Sequence, residues 1–384
     1  MHLPTRPQTD RSETVVVLGG RAPAALDLAR ALAWSGRRVV VAESMAWPLT
    51  RFSNAVARSV RVAPPRHETD RFLADLRRLV AEERAVCVIP TCEEVFYAAR
   101  AADLPVFAPP PDVLARLHDK AAFAARVRSL GLGVPDTHRI ASERDLGPFL
   151  ADSDRWVFKP AFSRFGTETL VPPHRPNGLR AIHPSETTPW VAQRFERGPV
   201  VCAHAVAHAG RLAALAVYRT PYTAGRAGVW FRHERHDGAR AWVEAFVDAE
   251  GLTGQVAFDL VERPGGAVVA IECNPRATSG LHLLRDAPGF ADAFFAAPPV
   301  PVEPPEGTAV RLSLPMLFAG RRDGFDGAWR RAWQTSRDAV SDARDPRPAL
   351  GQALLVAELA ARARRTGGSL LAASTADIAW NGGA

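Results

Sequence analysis

The residues with the clearest chemical potential lie in G254-Q-V-A-F-D-L-V-E-R-P-G-G-A-V-V-A-I-E-C-N-P-R276. Two apolar runs flank Gly265-Gly266, a pattern that predicts a two-residue β-hairpin loop. With those glycines as the loop, Pro264 pairs with Ala267. Asp259 then stands across from Glu272, their Cβ atoms about 5 Å apart. Asn274 shares that face because strand side chains alternate, and Cys273 turns into the core. Like charges set opposite each other destabilise a sheet unless a cation lies between them. Two acids and an amide oxygen are hard donors of the kind Mg²⁺ takes together with phosphate oxygens. The competing reading is an acid pair neutralised by Arg276 or another arginine. A three-residue loop would turn the two acids to opposite faces.

A second signal is the use of lysine. The chain holds 48 Lys plus Arg, and lysine occurs only at positions 120 and 159. A compact ammonium on a flexible stem suits a point contact to a phosphate oxygen, where arginine offers a planar fork. Lys159 lies near the end of the run W-V-F-K-P over 156–160, which reads as a strand, and Lys120 follows His118-Asp119 on a helix expected over 112–130.

Further elements are needed to position these groups. T14-V-V-V-L18 reads as a buried parallel strand, followed by a helix over 23–35, a strand over 38–43, a helix over 70–83, a strand over 86–90 and a helix over 93–102. This is an open α/β unit. Pro109-Pro110-Pro111 separates it from the next segment. The region 188–275 is β-rich, with strands expected over 191–195, 200–207, 211–217, 255–262 and 267–272. The run P-P-V-P-V-E-P-P over 298–305 reads as a linker. The expected organisation is a disordered leader over 1–12, an α/β domain over 13–110, lobes over 111–190 and 191–297, and a linker with a C-terminal subdomain over 298–384.

Composition narrows the function. At 384 residues, 47% hydrophobic and 23% charged, the chain reads as a soluble globular enzyme of two or three packed units. No run approaches a membrane span, and the N-terminus lacks the apolar core of a secretion signal. Cys87, Cys92, Cys202 and Cys273 show neither metal-ligand nor disulfide spacing, which fits reduced thiols in a cytoplasm. The net charge of +7 comes from scattered arginines without basic runs or interleaved aromatics, so an anionic small molecule is the expected partner and nucleic acid is not.

Taken together, H118-D-K-A-A-F123, V157-F-K-P-A-F-S-R-F-G-T167, W190-V-A-Q-R-F195, G254-Q-V-A-F-D259 and I271-E-C-N-P-R276 resemble, in order and interval, the motifs of the ATP-grasp superfamily. The likeness is to members such as the ATP-binding lobes of biotin carboxylase and carbamoyl phosphate synthetase. It covers about 13–285. The resemblance implies an α/β (α+β) fold with an N-terminal open α/β domain, a two-lobed ATP-grasp module and a C-terminal extension. It implies ATP with Mg²⁺ or Mn²⁺. Lys120 and Lys159 then contact phosphates. F162-S-R-F-G-T167, with Ser163, Gly166 and Thr167, forms a lid over the triphosphate, and the backbone of Gln193, Arg194 and Phe195 holds adenine. Asp259, Glu272 and Asn274 are metal ligands, and Arg276 steadies the reacting acyl phosphate. The chain departs from relatives in its glycine-poor lid and in G198-P-V-V-C202, which is apolar where relatives carry a ribose-binding acid.

The implied reaction activates a carboxylate as an acyl phosphate that an amine attacks, giving an amide, ADP and phosphate. Bicarbonate activation and a non-catalytic nucleotide-binding module are the alternatives. A homodimer is compatible with either. Arg232, His282 and Arg311 are candidate substrate contacts. H233-E-R-H236 lacks the H-E-x-x-H spacing of a zinc site, and L18-G-G-R-A-P23 reads as a tight turn without the dinucleotide fingerprint. Thr91-Cys92-Glu93-Glu94 follows a strand end, where open α/β sheets bind ligands, although Thr91 fits a helix cap equally well.

Overall fold

The computed structural model describes residues 13–163, 168–174 and 176–383. The expected leader, and Gly166 and Thr167 of the expected lid, lie outside the described residues. The chain divides into two compact units. The first takes 13–107 and Val340–Ala379; the second takes Ala108–Ala339 and the residues from Trp380 onward. The stretch expected as a C-terminal subdomain is therefore shared between the two.

In the first unit, β1 (Thr14–Leu18), β2 (Arg38–Glu43), β3 (Arg58–Arg61) and β4 (Cys87–Ile89) form a parallel sheet in the order β3-β2-β1-β4. β1 and β4 are buried throughout, as their unbroken aliphatic runs require. β3, R-S-V-R, is a polar edge strand and gives no apolar signal in the sequence. The stretch 93–102 forms one helical turn, Val95–Ala98, instead of the expected longer helix. The chain must return at once to the β4 edge, where Val88 N–H donates to Pro105 O and Phe107 N–H to Val88 O. Helix Arg347–Thr366 belongs to this unit, where Leu355 packs with Leu26, Met45, Leu49 and Val340.

The second unit contains two main sheets. β5 (Thr137–Ile140), β6 (Trp156–Pro160) and β7 (Trp190–Arg194) form an antiparallel sheet in the order β5-β7-β6. Ile140, Trp156, Phe158 and Ala192 are core residues of this sheet. Strand alternation puts Lys159 and Gln193 together on the other face.

The larger sheet comprises β8 (Val200–His208), β9 (Arg211–Arg219), β12 (Trp230–His233), β13 (Gly254–Glu262), β14 (Val268–Asn274), β15 (Ala309–Arg311) and β16 (Arg337–Asp338), while β10 (Thr223–Ala224) and β11 (Ala227–Gly228) make a separate small hairpin. Its order is β14-β13-β8-β9-β12-β15-β16. One face is closed by helices: Phe258, Val256, Ala203 and Cys273 share a core with Phe123, Trp242 and Phe246. The other face carries the polar residues.

Candidate active site

Asp259 lies directly opposite Glu272 in the β13–β14 ladder. The route to that register differs from the expected one. Arg263 N–H donates to Ala267 O, so the loop has one residue more than the glycine pair suggests. Near the loop the pairs are Glu262 with Val268 and Leu260 with Ala270; the register then shifts between Asp259 and Leu260. Ile271 is the extra residue of that β-bulge. The bulge offsets the longer loop and returns both acids to one face. The displaced Ile271 also receives a ligand, since Lys159 Nζ donates to its carbonyl at 2.9 Å.

Lys120 arrives by a second device. The expected continuous helix over 112–130 is broken at Asp119, whose extended backbone separates Pro111–His118 from Lys120–Ser129. The Asp119 carboxylate accepts from the amides of Ala121 and Ala122 at 2.8 and 3.1 Å, capping the second helix and fixing Lys120 as its first residue. Lys120 N–H donates to Ala161 O, tying this segment to the end of the strand that carries Lys159. Lys120 Nζ is buried, has no hydrogen-bond partner among the described residues and lies 3.7 Å from Glu272 Oε1.

Two ammonium groups thus meet two carboxylates. Burial pulls the Lys159 ammonium down to about 8, with Glu272 opposing the fall and Lys120 adding to it. Burial, then the Glu272 charge, pushes the Asp259 carboxyl up to about 6, although the Cys202 thiol donates to it and Lys159 and Arg276 attract it. Cys202 is the cross-strand neighbour of Asp259 on β8. It is a site residue that sequence reading missed, because a cysteine in an apolar run looks like core. Arg276 Nη2 donates to Asn274 Oδ1 at 3.1 Å, so it holds the amide and does not neutralise the acids by a hydrogen bond.

Among the described residues, no group of three or more His, Cys, Asp or Glu side chains is assembled that could hold a metal. The donors here are two carboxylates with Asn274. They fit a divalent cation that takes its remaining ligands from phosphate oxygens. The orphaned Lys120 ammonium fits such an anion.

The other expected residues distribute unevenly. Ser163, four residues after Lys159 in the chain, is buried. Gln193 Nε2 donates to Thr137 Oγ1, and the amides of Arg194 and Phe195 already donate to Asp136 O and Arg155 O. A base bound at this segment would therefore have to use carbonyls or later amides. His282 is buried and stacks on Phe231, with ring centroids 6.0 Å apart. Phe231 alternates with Arg232, and His233 pairs with Tyr218, which in turn pairs with Cys202. His282 therefore shares the face of Asp259. Arg232 is exposed on the reverse face, so the structure does not join it to the acids. Arg311 pairs with Trp230 on that same reverse face. Its guanidinium donates to Trp333 O, Ser336 O and Ser313 Oγ and lies 4.4 Å over the Trp333 ring. Arg311 is thus engaged in holding β15 to the Gly327–Thr335 helix, on the face opposite the acids.

No protein-family model and no curated protein matches this sequence. Solved structures do match. An N5-carboxyaminoimidazole ribonucleotide synthetase solved with ADP aligns at a TM-score of 0.60 and 14% identity, over 78% of this chain and 80% of that one. An L-amino acid ligase from Bacillus licheniformis aligns at a TM-score of 0.58 and 17% identity, over 74% and 73%. The chain has the ATP-grasp fold. A third ATP-grasp neighbour is the biotin carboxylase domain dimer of Hydrogenobacter thermophilus 2-oxoglutarate carboxylase, solved with MgADP and bicarbonate. It aligns at a TM-score of 0.57 and 13% identity, over 75% and 71%. Within the ATP-grasp fold of this chain, the acids lie on the large sheet, Lys159 on the small one and Lys120 at a helix start.

Proposed function

We propose that the protein is an ATP-dependent ligase that activates a carboxylate as an acyl phosphate and couples it to an amine, releasing ADP and phosphate. The observation that carries this reading is the convergence of Lys120 and Lys159 on the Asp259–Glu272 pair. Two positive and two negative groups balance one another. A polyphosphate that takes up both lysines would leave the carboxylates short of counter-charge, with Arg276 alone still attracting Asp259, and Asp259, Glu272 and Asn274 would then hold a divalent cation. That cation supplies charge neutralisation on the phosphates. Phosphoryl transfer chiefly needs such positioning and neutralised charge.

In this reading Lys120 and Lys159 bind phosphates, and Ser163 is a further phosphate contact. The segment Gln193–Arg194–Phe195 borders the base. Arg276, next to Asn274, steadies the acyl phosphate, and His282 lies at the acceptor side. The L-amino acid ligase neighbour supports amino-acid-like substrates. The carboxylase neighbour, solved with bicarbonate, supports a second reading in which bicarbonate is the acid. That domain is a dimer, which supports a homodimer here.

The test is product analysis with ATP, Mg²⁺ and a pool of amino acids. ADP, phosphate and an amide are expected in equal amounts. Stoichiometric AMP and pyrophosphate would exclude the ligase, and ADP release that needs bicarbonate but no amine would select the second reading.

A further inference from the structure

Residues 380–383 belong to the second unit, which also carries both lysines. The Trp380 ring meets Phe162 edge-on, with centroids 5.5 Å apart at 86°, and lies 6.0 Å from the buried His118 ring. His118 and Phe162 are themselves 5.8 Å apart, so the three rings form a closed triangle. Gly382 completes the contact. Its φ is +84°, and a Cβ there would come within 2.6 Å of Phe162 Cε2. The chain therefore crosses the Phe162 ring at a position where only glycine fits.

Two corners of the triangle belong to the lysine segments. His118 precedes Lys120 by two residues, Phe162 follows Lys159 by three, and the segments are joined by Lys120 N–H donating to Ala161 O at 3.2 Å. The rings are thus tied through the backbone to the two segments that carry the lysines. No motif in the sequence links residues 380–382 to this site.

We infer that Trp380 is a positioning residue of the phosphate site: it locks His118 and Phe162 so that Lys120 and Lys159 are set for a nucleoside polyphosphate. This rests on the ligase reading of those lysines. It makes the binding site dependent on a segment more than 200 residues away along the chain.

The experiment is calorimetric titration of MgADP into the full-length chain, with steady-state kinetics in ATP alongside. Trp380→Ala should weaken MgADP binding about tenfold, a loss of about 1.4 kcal/mol, and raise KM for ATP more than it lowers kcat. Trp380→Phe should restore most of the affinity. Gly382→Val, at an exposed position, should weaken binding as Trp380→Ala does, and it decides the matter if the alanine variant does not fold. Wild-type MgADP affinity in folded Trp380→Ala or Gly382→Val would overturn the inference alone, and so would failure of phenylalanine to rescue. Absence of MgADP binding by the unaltered protein would overturn the ligase reading together with it.

Discussion

Asp259 is the side chain on which the charge balance of the site turns. Its carboxyl is held up to about 6, first by burial and then by Glu272. A folded pKa above the ordinary value of about 4 means that stability is fully present while the group is protonated and is lost as pH rises from about 4 to 6. Asp259→Asn removes that loss. At pH 7.5 the variant is expected to be more stable than the parent by about 1–2 kcal/mol, after discounting for the partial exposure of the carboxylate. Its melting temperature should rise much less on adding Mg-ATP, because linkage stabilises only what binds. Thermal melts across pH 4–8, with and without Mg-ATP, check both effects. A variant less stable than the parent at pH 7.5 would mark Asp259 as the structural partner of a cation.

At the scale of elements, the site depends on two interruptions of regular structure. The bulge at Ile271 brings the acids into register and presents a carbonyl to Lys159. The break at Asp119 makes Lys120 the first residue of a helix. The second interruption gives the cleaner test. Asp119→Ala removes the cap and should cost about 1 kcal/mol of stability. Loss of the Arg139 contact, which is partly exposed, adds little. Because Lys120 is fixed by the cap, MgADP affinity should also fall, whereas Asp119→Asn should keep both properties. Urea denaturation and calorimetry on the pair of variants measure this. Equal nucleotide affinity in Asp119→Ala and the parent would show that the cap does not set the lysine.

At the scale of the whole molecule, residues distant in sequence complete each unit. In the first, Arg21 donates to Glu43 and, through Nη1 at 2.5 Å, to Asp377. Burial pushes the Asp377 carboxyl up. The hydrogen bonds and charge of Arg21, with Ser44 and Arg362, more than reverse this and hold it well below the ordinary carboxylate range. Its stabilising effect is complete above about pH 4 and is lost as pH falls below that toward the lowered folded value. Asp377→Asn should therefore destabilise the protein by about 3 kcal/mol at pH 7, as expected for one partner lost from a buried pair. The gap should begin to narrow below pH 4 and keep narrowing toward the lowered folded value. Urea midpoints at pH 7, 5 and 3 would show it, and a gap that stays constant with pH would remove the charge from the explanation.

The sequence by itself determined most of the elements and singled out the lysines and acids that meet in the candidate site. Strands such as Thr14–Leu18 and Gly254–Glu262 are legible because burial and alternation act on neighbours in the chain. The rarity of lysine and the acid–x–Asn–Pro–Arg ending mark chemistry by residue type alone. The Asp259–Glu272 pairing was reached from a two-residue loop, yet it holds only because a bulge compensates a longer one. A bulge leaves no mark in local composition. The Asp119 cap was readable in principle, as an aspartate followed by a helical run, but the apolar spacing on both sides favoured one helix. Only the tertiary structure decided that Arg311 is consumed by carbonyls, that Arg232 faces away from the acids, and that Trp380 joins Phe162 and His118. Each depends on which face of which element meets another, and pairings between residues far apart in the chain have no period or spacing for the sequence to show.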